Sequence, residues 1–199
     1  MEELTNSPLG SNNVPGSWSP DGQNMAFTYD GGGGPRQIWI LPLKDRKPFR
    51  LAVNSSSYET SPRFSPDGRW MAYTSTETGR SEVYVRPYPG PGGKWQISTD
   101  GGSEPVWNPK GRELFFRSGK KMMVVEYVGQ QSFTAGKPKE LFEGNYIPTP
   151  RTFPDYDITP DGQKFLMLKT AEDQQSNSQI NVVVNWVEEL KQKVPTGKK

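Results

Sequence analysis

The sequence predicts an all-β protein built from about four copies of one structural unit. Three observations lead to this prediction: a turn motif that returns four times, spacings of 46, 43 and 51 residues between its copies, and a composition that combines 12% aromatic residues with 21 glycines and 19 prolines. A propeller blade of four antiparallel strands takes about 40–50 residues. The predicted fold is therefore a β-propeller of about four four-stranded antiparallel blades.

The turn motif has the pattern apolar-Ser-Pro-Asp-Gly and is followed by an apolar strand. Proline presets φ at the second turn position, aspartate bonds back to the backbone, and glycine takes the left-handed conformation. Because the aspartates recur in separate turns, they are interpreted as turn formers, and the residue ahead of each turn is expected to be a core residue between blades. The motif copies begin at Trp18, Phe64, Trp107 and Ile158, and three of them contain Asp21, Asp67 and Asp161.

The blades are predicted at about residues 14–54, 59–99, 103–144 and 154–187. The strands expected in the first blade are 16–19, 25–29, 37–43 and 49–53, and those in the second are 63–65, 70–75, 82–88 and 95–98. The third blade is expected to contain 105–108, 113–117, 121–128 and 139–143. The fourth is expected to contain 156–159, 164–169 and 180–186, followed by a short helical and basic tail at 188–199.

The fourth blade lacks its own fourth strand, and residues 2–6 have the character of such a strand. One explanation is that residues 2–6 complete the last blade and close the ring, which removes exposed sheet edges. The other is that the chain forms part of a larger or dimeric propeller, with open blade faces that favour self-association.

Composition excludes several kinds of chemistry. With no cysteine and no histidine, the chain has no disulfide, no thiolate, no Ser-His-Asp triad and no His-ligated metal. The net charge is +2 with no basic stripe, so nucleic-acid binding is not expected. There is no apolar run of membrane-spanning length and no hydrophobic signal core in residues 1–10, so a soluble chain is expected.

The inner strands supply the candidate site, because they line the channel of a propeller. Aligned on the turn motif, one column contains Glu104 and Asp155, and a second column contains Arg63 and Asp157. If the ring forms, these four side chains are predicted to converge near its axis. The interpretations left open are a solvated or mutually paired channel, a polar binding site, and a cation site through the three carboxylates, although no calcium-loop spacing supports the last.

The proline-rich loop at residues 146–156 is a second candidate. It offers Arg151, Phe153 and Tyr156 close to the expected channel mouth, and arginine and aromatic residues are common in binding hot spots. Proline-rich connections between blades also occur for steric reasons alone, so both interpretations stay open.

The turn motif, together with a strand such as 82–85, resembles the TolB-type, WD-repeat-like β-propeller family, and the resemblance covers about residues 2–186. Members occur as periplasmic interaction proteins, as gating domains of prolyl-oligopeptidase-like peptidases, and as sensor modules behind bacterial Ser/Thr kinase domains. The residues at 181–191 are similar to the end of that last group. The resemblance implies a bacterial periplasmic or other extracytoplasmic location, and a cytoplasmic location stays open as the alternative.

The function expected from the sequence is a non-enzymatic interaction or sensor module that binds a protein, peptide or small ligand, without a cofactor. No nucleophile elbow, P-loop or kinase motif is present. The alternatives are a carboxylate-based hydrolase or lyase of the glycosidase kind, or a fragment of a peptidase gating propeller. Homodimerisation through open blade edges is a further possibility.

Overall fold

The computed structural model describes residues 12–51, 56–129, 132–146 and 154–168. Within these ranges there is no helix long and apolar enough to cross a membrane. The strands predicted at 2–6 and 180–186, and the tail at 188–199, lie outside the described residues. In chain order the described strands are β1 (Asn12–Trp18), β2 (Asn24–Asp30), β3 (Gln37–Pro42), β4 (Phe49–Arg50), β5 (Glu59–Phe64), β6 (Trp70–Ser75), β7 (Glu82–Pro87), β8 (Trp95–Gln96), β9 (Ser103–Trp107), β10 (Glu113–Ser118), β11 (Lys121–Gly129), β12 (Phe133–Ala135), β13 (Lys139–Glu143), β14 (Tyr156–Ile158) and β15 (Phe165–Met167).

The strands form four antiparallel sheets that follow one another along the chain. The first sheet has the order β1-β2-β3-β4 and the second the order β5-β6-β7-β8. In the third sheet β9, β10 and β11 pair in sequence, and both β12 and β13 pair with β11. The described part of the fourth sheet is the pair β14-β15. The prediction of four-stranded antiparallel blades is confirmed.

The inner strands β1 and β5 begin at Asn12 and Glu59, earlier than the predicted 16 and 63, and the outer strand β13 has its predicted bounds. The outer strands β4 and β8 are shorter than predicted. Strands β4 and β8 contain two residues each. The residue that follows each strand makes one more backbone hydrogen bond to the neighbouring strand and buries its side chain in the core. The N–H groups of Leu51 and Ile97 donate to the carbonyls of Ile38 and Val83 at 2.9 and 2.8 Å, and Leu51 and Ile97 themselves are buried. Strand β12 was not predicted. It contains the buried Phe133, and the sequence around Phe133 has no alternating apolar pattern that would predict a strand.

The turn motif uses its aspartate to hold the turn, as predicted. Asp67 Oδ1 accepts hydrogen bonds from the Ser65 hydroxyl at 2.6 Å and from the Arg69 N–H at 3.1 Å. The Gly68 N–H donates to the Ser65 carbonyl at 2.9 Å, and Gly68 has a φ of 71°. Asp21 accepts the equivalent pair of bonds in the first copy. These carboxylates therefore stabilise turns and are not available as a shared carboxylate site.

In the third copy, the side chain of Asn108 holds the turn in place of the aspartate. Its Oδ1 accepts the N–H groups of Lys110 and Gly111, both at 3.0 Å, and its Nδ2 donates to Glu113 Oε2 at 2.7 Å. The amide of Asn108 thus holds the turn through a different set of bonds, to N–H groups inside the turn, and no aspartate is needed. Lysine at position 110 can therefore point into solvent.

The core lies between consecutive sheets, because each sheet must bury its apolar faces against a neighbour. Three clusters of buried side chains fill the three spaces. Between the first and second sheets they are Ala26, Ile38, Ile40, Leu51, Phe64, Met71, Tyr73 and Tyr84; between the second and third Trp70, Ala72, Val83, Val85, Ile97, Trp107, Leu114, Phe116, Val125 and Phe133; and between the third and fourth Val106, Phe115, Met122 and Tyr156.

Trp18 does not join this core, and the prediction that it would was wrong. Phe64 and Trp107, at the same motif position, are 7% and 5% exposed, because each packs between its own sheet and the preceding one. Ile158 is half-buried against the cluster of the third and fourth sheets. Trp18 is 52% exposed. The first sheet has no preceding sheet among the described residues, so nothing equivalent covers this indole.

Candidate functional site

The inner strands β1, β5 and β9 each contain a β-bulge at the column that the sequence alignment singled out. Their pairing registers shift between Pro15 and Ser17 in β1, and at corresponding places in β5 and β9. Ser61 and Glu104 occupy the same column and have φ angles of 55° and 58°. A left-handed non-glycine residue is uncommon, and a bulge redirects the side chain next to it. The bulge thus determines where Glu104 points.

Glu104 is 4% exposed and connects three sheets. Its N–H donates to Thr74 Oγ1 at 3.2 Å, and its carbonyl accepts the Tyr156 hydroxyl at 2.7 Å. Its Oε2 accepts the Asp155 N–H at 3.3 Å and lies 4.0 Å from Nη1 of the buried Arg117. The second, third and fourth sheets therefore meet at this residue.

Arg63 reaches the same region from β5. Its backbone carbonyl accepts the Trp107 Nε1–H at 2.9 Å, which fixes β5 against the third sheet. Its Nε is shielded from solvent and has no hydrogen-bond partner among the described residues. Burial lowers the pKa of Arg63 from its ordinary value, and the neighbouring Tyr156 and Asp157 oppose this change. Arg63 is thus a shielded cation with a free donor.

Asp155 and Asp157 stand on either side of Tyr156 at the start of the fourth sheet. Asp157 is exposed, and its Oδ1 accepts the Ile158 N–H at 2.9 Å. Asp155 is half-buried, and its Oδ2 is shielded from solvent without a hydrogen-bond partner in the described part of the chain. A free acceptor therefore lies in the region that also holds the free donor of Arg63.

Tyr156 lies between these charged groups. It is 5% exposed, and burial raises the pKa of its hydroxyl well above the ordinary value. Because the charges of Glu104, Arg63, Arg117 and Asp157 also act on that pKa, all of them lie within electrostatic range of the phenol. Its hydroxyl bond to Glu104 joins β14 to β9. The residues named here, Arg63, Glu104, Arg117, Asp155, Tyr156 and Asp157, are called the inner-strand cluster.

Of the four side chains that the sequence analysis named, Glu104 contacts Asp155, and Arg63 and Asp157 lie within electrostatic range of Tyr156. Their convergence near a ring axis stays a prediction. Arg117 was missed. Arg117 is on β10 at the position that Thr28 and Thr74 occupy in the first two sheets. A charged residue in a column of threonines was the available signal. Arg151 and Phe153 lie outside the described residues, so their predicted binding role stays a prediction.

The cation interpretation finds no support in the described ranges. Within them, no three Asp, Glu, His or Cys side chains are grouped so that they could hold a metal ion. Two arginines also lie among the carboxylates of the inner-strand cluster, and their charge opposes that of a cation. The cluster has the composition of a polar binding surface with both signs of charge.

The carboxylate pair of Glu104 and Asp155 is relevant to the hydrolase alternative. The two residues are joined by a hydrogen bond, so distance alone does not exclude that alternative. A glycosidase-like pair, however, needs both carboxyl groups to reach the two sides of a bound substrate. Glu104 is buried, with its carboxylate directed at Arg117 and at the backbone of Asp155. In this arrangement the Glu104 carboxylate holds Arg117 and the backbone of Asp155 in place and is not directed at a substrate.

A cleft lies elsewhere, between the outer parts of the second and third sheets. Its volume is about 880 Å³, and its lining includes Ile97, Phe116, Met123 and Lys137. None of its lining residues belongs to the inner-strand cluster. The cleft and the inner-strand cluster are therefore separate surfaces, and experiments can distinguish binding at one from binding at the other.

Glu104 is expected to make stability depend on pH. Burial raises its pKa above the ordinary value of 4.5, and Arg117 and the Asp155 N–H oppose this only in part. The folded state then keeps the proton to a higher pH than the unfolded state, so stability is lost as the pH rises from about 4.5 through the raised pKa. Glu104→Gln should remove this loss. Urea unfolding from about pH 4 to pH 8 should show wild type losing stability relative to the variant; a constant difference would contradict the expectation.

Comparison with known proteins agrees with this geometry. The family model described as the TolB beta propeller domain matches residues 2–196. Among solved structures, TolB from Acinetobacter baumannii superposes with a TM-score of 0.60 at 22% identity, over 82% of this chain and 39% of that one. A puromycin-hydrolyzing peptidase of Mycobacterium tuberculosis gives a TM-score of 0.60 at 18% identity, over 78% of this chain and 28% of that one. At these identities the similarity concerns the fold.

Curated relatives match over shorter stretches. Tricorn protease homolog 1 of Streptomyces coelicolor is 35% identical over 71 residues, which is 36% of this chain and 6% of the relative. Tol-Pal system protein TolB of Desulfosudis oleivorans is 37% identical over 54 residues, 27% of this chain and 12% of the relative. The chain thus spans a small part of the length of these relatives.

Proposed function

The chain belongs to the family of TolB-type β-propeller domains, and we propose that it is a non-enzymatic binding module that presents its inner-strand cluster to a peptide or protein. One observation carries this proposal. Arg63 Nε and Asp155 Oδ2 are a free donor and a free acceptor, both shielded from solvent, in one cluster formed by three sheets.

A peptide segment fits the chemistry of this cluster. Each peptide unit offers one N–H donor and one carbonyl acceptor. These complement Asp155 Oδ2 and Arg63 Nε once the half-buried side chains of Asp155 and Arg63 turn towards the partner. The cluster contains three carboxylates and two guanidinium groups, so it has no strong excess of one sign that would favour polyphosphates or other highly charged ligands. A partner with a neutral backbone and mixed side chains is therefore favoured.

The scaffold holds these groups in place before a partner arrives. The bulge directs Glu104, the Trp107 indole fixes the backbone of Arg63, and the Tyr156 hydroxyl ties the fourth sheet to the third. Groups on strands that are fixed by hydrogen bonds lose little conformational freedom on binding. This rigidity supports recognition, and it does not by itself supply a reaction.

The relatives are compatible with this proposal at the level of the domain. Tricorn protease homolog 1 and the puromycin-hydrolyzing peptidase contain a similar propeller, and their names describe peptidases. Because this chain covers only 6% and 28% of those two proteins, their activity is not transferred to it. The similarity to these two proteins is thus compatible with a binding module and assigns it no reaction.

A displayed random-peptide library selected on the chain tests the proposal. Enriched peptides should bind wild type and lose about tenfold or more in affinity to Arg63→Ala, because the variant removes a shielded charged hydrogen-bond donor. Arg112→Ala is the matched control, since Arg112 is exposed on a different surface. A selection that enriches no sequence, or peptides that bind Arg63→Ala as well as wild type, would overturn the proposal.

An assay of catalytic turnover distinguishes this proposal from the alternative of a carboxylate-based hydrolase or lyase. The wild-type chain should show no turnover on a panel of glycoside, ester and peptide substrates. Turnover that is abolished by Glu104→Gln or Asp155→Asn would replace the binding module by an enzyme.

We further propose an extracytoplasmic bacterial location. The proposal is supported by the family resemblance and by the match to the Tol-Pal system protein TolB. Cell fractionation of a bacterium that produces the chain tests it, and recovery only with cytosolic markers would contradict it.

A further inference from the structure

The four sheets provide an internal comparison of the faces that sheets turn towards their neighbours. Ala26, Ala72 and Phe115 occupy one position of the second strand in the first three sheets, and each faces the next sheet. They are 0%, 0% and 3% exposed. Leu166 holds this position on β15 and is 74% exposed. Among the described residues, no sheet covers the corresponding face of the fourth sheet.

A second leucine extends the same surface. Leu168 follows Leu166 by two residues and therefore lies on the same face of the strand. It is 56% exposed, whereas Thr28 and Thr74 at the equivalent position are 0% and 5% exposed. Two neighbouring leucines in solvent, at positions that are buried elsewhere in the repeat, define what we call the last face.

The opposite end of the array has the complementary feature. Trp18 is 52% exposed, and the equivalent Phe64 and Trp107 pack against the preceding sheet in the clusters that contain Ala26 and Ala72. In two internal contacts an aromatic residue of the later sheet therefore packs with the alanine at the Leu166 position of the earlier sheet, and in the third contact Ile158 packs with Phe115 in the same way. The surface around Trp18 is called the first face.

We propose that the last face of one copy packs against the first face of a second copy of this chain. The contact would repeat, between copies, the contact that the chain makes between its own sheets. A second copy is the favoured occupant because one chain exposes both halves of that contact, the leucines at one end and the tryptophan at the other. The proposal does not depend on the inner-strand cluster or on its ligand.

The contact is heterologous, since two different surfaces meet. Two copies can make it twice and close into a ring, or further copies can add to an open chain. Either assembly would cover apolar surface that soluble monomers rarely expose. The mass in solution should therefore rise with protein concentration above that of one chain.

Sedimentation equilibrium on the full chain measures this association. Trp18→Glu and Leu166→Asp should each weaken it by about tenfold or more, because each places a charge in the apolar contact. Leu141→Asp is the control, because Leu141 is 46% exposed on the outer strand β13 and lies on neither face. Leu166 is largely exposed in one chain, so its replacement should leave the fold unchanged, which near-ultraviolet circular dichroism checks.

Mixing the two variants tests the head-to-tail geometry directly. Each variant alone has lost one half of every contact, but the intact last face of Trp18→Glu can pair with the intact first face of Leu166→Asp. The mixture should therefore regain association that neither variant shows alone. A wild type that stays monomeric at all concentrations, association unaffected by Leu166→Asp, or a mixture without recovery would overturn the proposal.

Discussion

Replacing Trp107 by alanine is expected to lower the free energy of unfolding by about 3–5 kcal/mol, the usual range for a large buried aromatic residue. Trp107 is 5% exposed and lies in the cluster between the second and third sheets. Its ring meets Tyr127 edge to face with centroids 4.8 Å apart, and its Nε1–H donates to the Arg63 carbonyl. Alanine would leave a cavity and remove the bond that fixes β5.

Trp18→Ala is the matched control, because Trp18 holds the same motif position. With 52% of Trp18 exposed, its removal should cost about 1 kcal/mol or less. Both variants are measured by urea unfolding at low protein concentration, where association of copies does not contribute. Equal losses for the two tryptophans would contradict the account of how the sheets pack.

The second large effect is expected at Glu82, where alanine should lower the free energy of unfolding by about 1–3 kcal/mol, because the Ser98 hydroxyl and the Gly101 N–H lose their buried acceptor. Glu82 is 1% exposed. Its Oε1 lies 2.7 Å from Arg80 Nε and accepts the Gly101 N–H at 3.1 Å, and its Oε2 accepts the Ser98 hydroxyl. The carboxylate thus joins β7 to the connection that leads into the third sheet.

Glu143→Ala serves as the control for Glu82, since Glu143 is exposed on β13. Its replacement should change the free energy of unfolding by less than about 0.5 kcal/mol. Thermal or urea unfolding of both variants measures the difference. A loss for Glu82→Ala as small as that for Glu143→Ala would mean that the hydrogen bonds of Glu82 do not stabilise the second sheet.

Much of the fold could be predicted because the turn motif is local chemistry. The Ser65, Asp67 and Gly68 turn needs only neighbouring residues, so the sequence indicates it directly, and its recurrence indicates the blade period. Trp18 shows the limit of this reasoning. It occupies the same motif position as the buried Phe64 and Trp107, but burial depends on a neighbouring sheet, and a local sequence pattern does not indicate whether that sheet is present.

The candidate site could be predicted in part for the same reason. The column alignment placed Glu104 and Asp155 together because every sheet repeats one geometry. The left-handed φ of Glu104 was not predictable, since no glycine marks the bulge. Arg117 was missed because its role depends on contact across the bulge with Glu104. The direction in which each of these side chains points therefore depends on tertiary contacts.

The central claim is that the inner-strand cluster is the binding surface, and mapping a selected peptide on the isotope-labelled chain by NMR tests it most directly. The account predicts that the largest amide shift changes occur at Arg63, Glu104 and Asp155, and that Arg63→Ala abolishes them. Shift changes confined to the outer cleft, at residues such as Ile97 and Lys137, would contradict it.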